Sequence, residues 1–348
     1  MKVNDWLDLS VQPINLHYKE RALKRQAQLT KPAGSLGRLE VMAVRLAGLQ
    51  AVECPSCERV GITIFAADHG VAKQKVSAYP QEVTTQMILN FASGGAAISV
   101  LATQLGADFE VINLGTVTPV DHPDVVCNVI ASSSADFTET AAMTVSQLES
   151  ALGIGADAVI RAQNNGVELF IAGEMGIANT TAASALMAAF LNLKGADVAG
   201  AGTGVSDQGV QHKAEVIDRA LILHDPHWTT PLEVLRRLGG FEIAAMVGAY
   251  LMAANRGIAI VVDGFISTVA AYIAIQINHQ CKEWMIFGHC SPEAFHQYIL
   301  DQLEVEPLLN LGMRLGEGSG AAVAVNLLRT ACELHRNMAT FADAGVSQ

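Results

Sequence analysis

The stretch VELFIAGEMGIANTTAASALMAAF, Val167 to Phe190, decides the fold. It opens on an apolar run with no polar alternation, the pattern of a strand covered on both faces. A turn follows in which Glu174 stands between Gly173 and Gly176. A long run of small residues then reads as a helix beginning near Asn179 or Thr180, both good capping residues. The same succession recurs in VGITIFAADHG (Val60–Gly70), DFEVINLGT (Asp108–Thr116), GIAIVVDGFISTVAAYIAI (Gly257–Ile275) and EWMIFGHCSPEAF (Glu283–Phe295). Buried strands alternating with helices predict an α/β fold, a doubly wound and mainly parallel sheet with helices on both faces. In such sheets ligands bind beyond the carboxyl ends of the strands. The segments AADHG, NLG, AGEMG, VDGF and GHCSPE are therefore expected along one rim.

The chain ends read differently. Residues 1–55 and 310–348 are predicted to form a small helical subdomain beside a large Rossmann-like α/β domain over 56–309. The 348 residues are 51% hydrophobic, 16% charged and 5% aromatic, a mix that suits close helix–sheet packing. The net charge of −12 argues against a nucleic-acid partner. An anionic substrate must then be held by a local cluster of donors. The N-terminus lacks the apolar segment of a secretory signal, which predicts a cytoplasmic protein with free thiols. The longest charge-free stretch, Gly264 to Cys281, reads as a buried helix plus loop, not a membrane span. Cys54 and Cys57 form a CPSC pair with no second pair at zinc-ribbon spacing.

Four further features carry chemical meaning. RLGEGSGAAVAVNLL (Arg314–Leu328) places Glu317 between Gly316 and Gly318, where a carboxylate and a bound molecule could approach closely. Its GEGSGA matches G-x-G-x-x-A, but the segment before it is a poor strand and no strand follows, so a dinucleotide-dependent oxidoreductase is the lesser reading. GAGTGVSDQGVQHK (Gly200–Lys213) is not a Walker A loop, because Val210 follows Gly209. Its glycine amides and Lys213 could still hold a monophosphate. Rim histidines and aspartates, including Asp68, His69, Asp263, His289 and the HDPH of 224–227, leave a metal-dependent hydrolase as another alternative. Pro226 argues against one helical face in HDPH, and the set matches no defined ligand spacing.

The motifs KPAGSLGRLE, FAADHGVA, VSAYPQEVT, GEMGIANTTAASAL, GTGVSD, LGGFEIAAMVGAYL, VVDGFIS, GHCSPE and RLGEGSGAA occur in this order over nearly the whole chain. Together they closely resemble the nicotinate-nucleotide–dimethylbenzimidazole phosphoribosyltransferases, which make the lower ligand of cobalamin. The resemblance implies transfer of ribose 5-phosphate from nicotinate mononucleotide to 5,6-dimethylbenzimidazole. The products would be nicotinate and α-ribazole 5′-phosphate, with inversion at the anomeric carbon. It implies Glu317 as the general base and Glu174 as a second carboxylate. It also implies a ring pocket of Ser77, Tyr79, Gln86 and Leu315, and a phosphate site of Gly176, Gly202, Lys213 and Ser291. No metal or organic cofactor is expected. A homodimer with shared active sites is.

Overall fold

The apolar runs become strands in a computed structural model that describes residue 7 and residues 10–202, 204–293 and 295–347. They are β1 Val60–Ala67, β2 Asp108–Gly115, β3 Val125–Cys127, β4 Leu169–Met175, β5 Ala259–Val262 and β6 Met285–Phe287. Every neighbouring pair is parallel, in the order β3-β2-β1-β4-β5-β6. Successive side chains of a strand point to opposite faces. All eight residues of β1 are buried, so the sheet is covered on both sides as the unbroken apolar run predicted. The edge strand β3 is an addition to that reading. Three residues are too short to stand out as a run.

The chain winds outward from β1 in both directions, so the order reverses between β1 and β4. Their carboxyl ends lie side by side, with Ala66 opposite Met175. That junction is where a ligand crevice opens in doubly wound sheets.

Small residues bring two helices into interlocking contact on this frame. Helix Val145–Asn164 packs along helix Phe241–Arg256. A Cβ at Gly155 would lie 1.8 Å from the Ala245 carbonyl oxygen, and one at Gly248 would lie 2.1 Å from that of Leu152. Any larger residue would force the helices apart.

At the chain ends, helices Leu16–Gln28 and Arg38–Gln50 pair around Ala22, Val44 and Ala47. The last long helix, Ser319–Asn337, lies against Arg38–Gln50 and also against β4, β5 and helix Ala97–Leu105. It thereby carries the Glu317 loop to the rim of the sheet. The charge-free stretch at 264–281 is the buried helix Phe265–Ile277 followed by the turn His279–Trp284. Among the described residues one segment, Glu82–Leu105, has the length and apolarity of a membrane span. A break at Ser93–Ala96 divides it into two short helices.

Candidate active site

Beyond the ends of β1, β4, β5 and β6 lies a cavity of about 360 Å³. Four carboxylate residues line it, Glu174, Asp263, Glu293 and Glu317. Glu317 is presented by three consecutive left-handed residues, Gly316 (φ +82°), Glu317 (+64°) and Gly318 (+80°). That conformation costs a non-glycine residue about 1 kcal/mol, so the surroundings must hold it. Ser319 does so in part, with its N–H (3.0 Å) and hydroxyl (2.7 Å) both donating to the Gly316 carbonyl. Gly173 of β4 also does so. A Cβ there would stand 2.5 Å from the Glu317 carbonyl oxygen, so only glycine lets the turn seat on the strand.

Glu317 is buried, and its Oε2 has no hydrogen-bond partner among the described residues. Burial raises its pKa above the ordinary carboxylate value. The charge of Asp263 adds to this, and a hydrogen bond from the Ile98 N–H opposes it. Glu174 is pushed further, to about 8. Burial is the main cause, the neighbouring carboxylates of Glu242 and Asp263 come next, and the Asn179 amide counters. Asn179 is thus used differently from its expected capping role. The helix starts at Asn179 with Ala178 left-handed at the cap (φ +79°), and the Asn179 side chain donates to Glu174.

Another part of the cavity wall is backed by a lysine. Lys213, on helix Asp207–His224, is buried behind Thr180 and Gly202, which line the wall. Its Nζ donates to Thr180 Oγ1 at 2.8 Å and to the Gly200 carbonyl at 3.3 Å. Burial lowers its pKa to about 8, with Glu293 opposing the shift. Gly176 and Ser291 also line the cavity. Ser291 is fixed by its N–H, which donates to His296 Nδ1 at 2.8 Å. Burial and the neighbouring His289 hold His296 down to about 3, so its ring is neutral. Since Nδ1 accepts, Nε2 carries the hydrogen and donates to Thr268 Oγ1 at 3.0 Å.

The mouth is apolar apart from the exposed Arg314. Tyr79 and Leu315 line it while remaining 53% and 57% exposed, with Val83 and Met87 beside them. Ser77, half-buried, accepts from the Tyr79 N–H at 3.3 Å and stands outside the lining. Gln86 is exposed on helix Glu82–Ala92 and does not reach the cavity. The buried face of that helix carries Thr84, Thr85, Ile88 and Phe91, and Gln86 points the opposite way.

Three comparisons bear on this arrangement. A profile described as phosphoribosyltransferase matches residues 11–346. The nicotinate-nucleotide–dimethylbenzimidazole phosphoribosyltransferase of Pseudomonas fluorescens is 56% identical over 345 residues, covering 99% of this chain and 98% of that protein. The chain belongs to this phosphoribosyltransferase family. The protein of the same description from Pseudomonas putida is 55% identical, over 98% of this chain and 97% of its own length. Among solved structures, that of CobT from Thermus thermophilus superposes with a TM-score of 0.91 at 42% identity, covering 95% of this chain and 99% of the other.

Family membership removes the two rival readings, and the structure gives the reasons. No strand leads directly into GEGSGA. The segment before it makes one bridge, Leu309 with His289, and among the described residues only helices follow it. In HDPH, His224 turns inward to the Phe137 carbonyl at 2.8 Å, while Asp225 and His227 are not buried. Among the described residues no group of three or more His, Cys, Asp or Glu is arranged to hold a metal. Neither cysteine of the CPSC pair lines the cavity. Cys57 is buried against Cys332, with the sulfurs 3.6 Å apart.

Sequence reasoning missed several members of the site. Thr180 is the partner of Lys213. Asp263 and His289 line the cavity, although as rim residues they pointed only toward a metal. A fully buried pair, His69 Nε2 to Glu242 Oε1 at 2.6 Å, lies next to Gly176, whose Cβ position is 3.2 Å from the His69 ring. Adjacent glycines in LGGFE were the signal for it. A Cβ at Gly240 would fall 2.2 Å from His69 Cε1.

Proposed function

We propose that the chain transfers the 5-phosphoribosyl group of nicotinate mononucleotide to 5,6-dimethylbenzimidazole, with Glu317 as general base. The observation that carries this reading is the pairing of two groups at one cavity. On one side is a buried carboxylate with a free oxygen and raised proton affinity, and behind the wall at Thr180 and Gly202 is a buried lysine. Lys213, Ser291 and the main chain at Gly176 and Gly202 anchor the 5′-phosphate. The benzimidazole enters past Tyr79 and Leu315, whose flat and apolar surfaces suit a bicyclic ring.

The unprotonated ring nitrogen attacks C1′ of the ribose as the C1′–N bond to nicotinate breaks. The bonding pair leaves with nicotinate, whose pyridinium nitrogen becomes neutral, so no general acid is required. Attack makes the other ring N–H strongly acidic, and Glu317 takes that proton. Attack opposite the leaving group inverts the anomeric centre from β to α. The carboxylate of Glu317, ionised until it takes the proton, supplies negative potential to the developing oxocarbenium charge. The rest of the acceleration comes from holding two reactants in line. This chemistry asks for no metal or organic cofactor.

A cytoplasmic homodimer that completes each site from the partner chain fits the mouth, where Tyr79 and Leu315 are exposed. The test of the function is nicotinate release from nicotinate mononucleotide with and without dimethylbenzimidazole, together with the anomeric configuration of the product. Release that requires the base and yields the α anomer is expected. Release without base would show a hydrolase, and a β product would exclude direct displacement.

A further inference from the structure

We infer that Asp263 is the positioning residue for Glu317, acting as a helix cap supplied from a different element. The inference rests on the proposed role of Glu317. The helix Ser319–Asn337 begins with Gly318 at its cap position, and glycine has no side chain with which to satisfy the first-turn N–H groups. Asp263, on the loop leaving β5, takes that place. Its Oδ2 accepts from the Gly318 N–H at 3.2 Å and its Oδ1 from the Ala321 N–H at 2.8 Å. A carboxylate is also the favoured charge at a helix N-terminus. These two bonds grip the residue directly after Glu317 and the first turn beyond it.

The strand order makes the grip rigid. β4, β5 and β6 are neighbours, so their ends present Gly173, Asp263 and His289 in sequence along the rim. Gly173 supports the Glu317 carbonyl from one side. On the other, His289 Nε2 stands 3.4 Å from Asp263 Oδ1, and Gly320 leaves room for the imidazole, since a Cβ there would fall within 2.0 Å of it. Asp263 is 2% exposed, and the two amides and His289 account for the contacts of both its oxygens. Without this cap the left-handed Glu317 would be held mainly by the local Ser319 turn. Strain at that position would then favour release of the loop.

The test is a double-mutant cycle in single-turnover kinetics, with D263N made in the wild-type and in the E317Q background. If Asp263 acts through Glu317, D263N lowers the rate tenfold or more in wild type, leaves KM for both substrates within threefold, and changes the E317Q rate less than twofold. An equal loss in both backgrounds would overturn the inference, because Asp263 would then act on the substrate by itself. An undiminished rate for D263N alone would overturn it too. E317Q at wild-type speed would instead remove the proposed base, a separate failure. If D263N does not fold, amide exchange in the unaltered protein decides. Gly318 and Ala321 should be protected at least as well as the following turn of the helix, and unprotected amides at both positions would refute the cap.

Discussion

Glu174→Gln should stabilise the protein above pH 6, although it removes a residue from the active site. Burial and three neighbouring carboxylates raise the folded-state pKa of Glu174 from 4.5 to about 8. A raised carboxyl pKa means that the folded state binds the proton more tightly than the unfolded chain. The resulting stability is fully present below pH 4.5 and is lost as pH rises, until the loss levels off above pH 8. The loss comes to about 3 kcal/mol at pH 7 and about 5 kcal/mol above pH 8 as upper bounds. Glutamine keeps the shape, keeps an oxygen to accept from Asn179, and does not titrate. For a chain of this length about 3 kcal/mol corresponds to a Tm difference of roughly 4 °C. The assay is thermal unfolding of both proteins from pH 5 to 9. The variant should melt within about 1 °C of wild type at pH 5 and about 4 °C higher at pH 7. A difference that does not change with pH over that range would refute the reasoning, because it would mean that Glu174 titrates as an ordinary carboxyl.

Lys213→Met should raise KM for nicotinate mononucleotide about tenfold or more, by loss of a charge-assisted contact to phosphate, and leave KM for dimethylbenzimidazole within about threefold. Steady-state kinetics with each substrate varied in turn checks this. In the unaltered enzyme Lys213 loses its proton near pH 8, so kcat/KM for the nucleotide should decline as pH rises through that value. Gly173→Ala places a methyl group 2.5 Å from the Glu317 carbonyl oxygen. The turn must shift, and kcat should fall about tenfold or more with a lower Tm; unchanged kinetics would show that the strand does not seat the loop.

The sheet was readable because burial on both faces writes itself as runs such as GITIFAA and LFIAG, and because each run ends in glycine-bearing loops that share one rim. Glu317 and Glu174 stood out for a related reason: a carboxylate framed by glycines is out of place on a solvated surface. What could not be read depends on direction in space. Gln86 sits within the right motif, yet the turn of its helix aims it at solvent while Val83 and Met87 face the cavity. The partnership of Asp263 with Gly318 and Ala321 spans more than fifty positions and exists only because β5 ends beside the last helix. Asn179 looked like a cap, and the nearby carboxylate took its amide instead. The edge strand β3 gains its order from pairing with β2, not from its own three residues.

The central claim is that a buried carboxylate at position 317 receives the benzimidazole proton, and Glu317→Gln tests it most directly. The substitution keeps size and hydrogen-bonding reach while removing basicity. Base-dependent nicotinate release, followed at saturating substrates, should fall about 100-fold or more with KM for nicotinate mononucleotide nearly unchanged and Tm no lower. A glutamine enzyme that turns over at the wild-type rate would contradict the account.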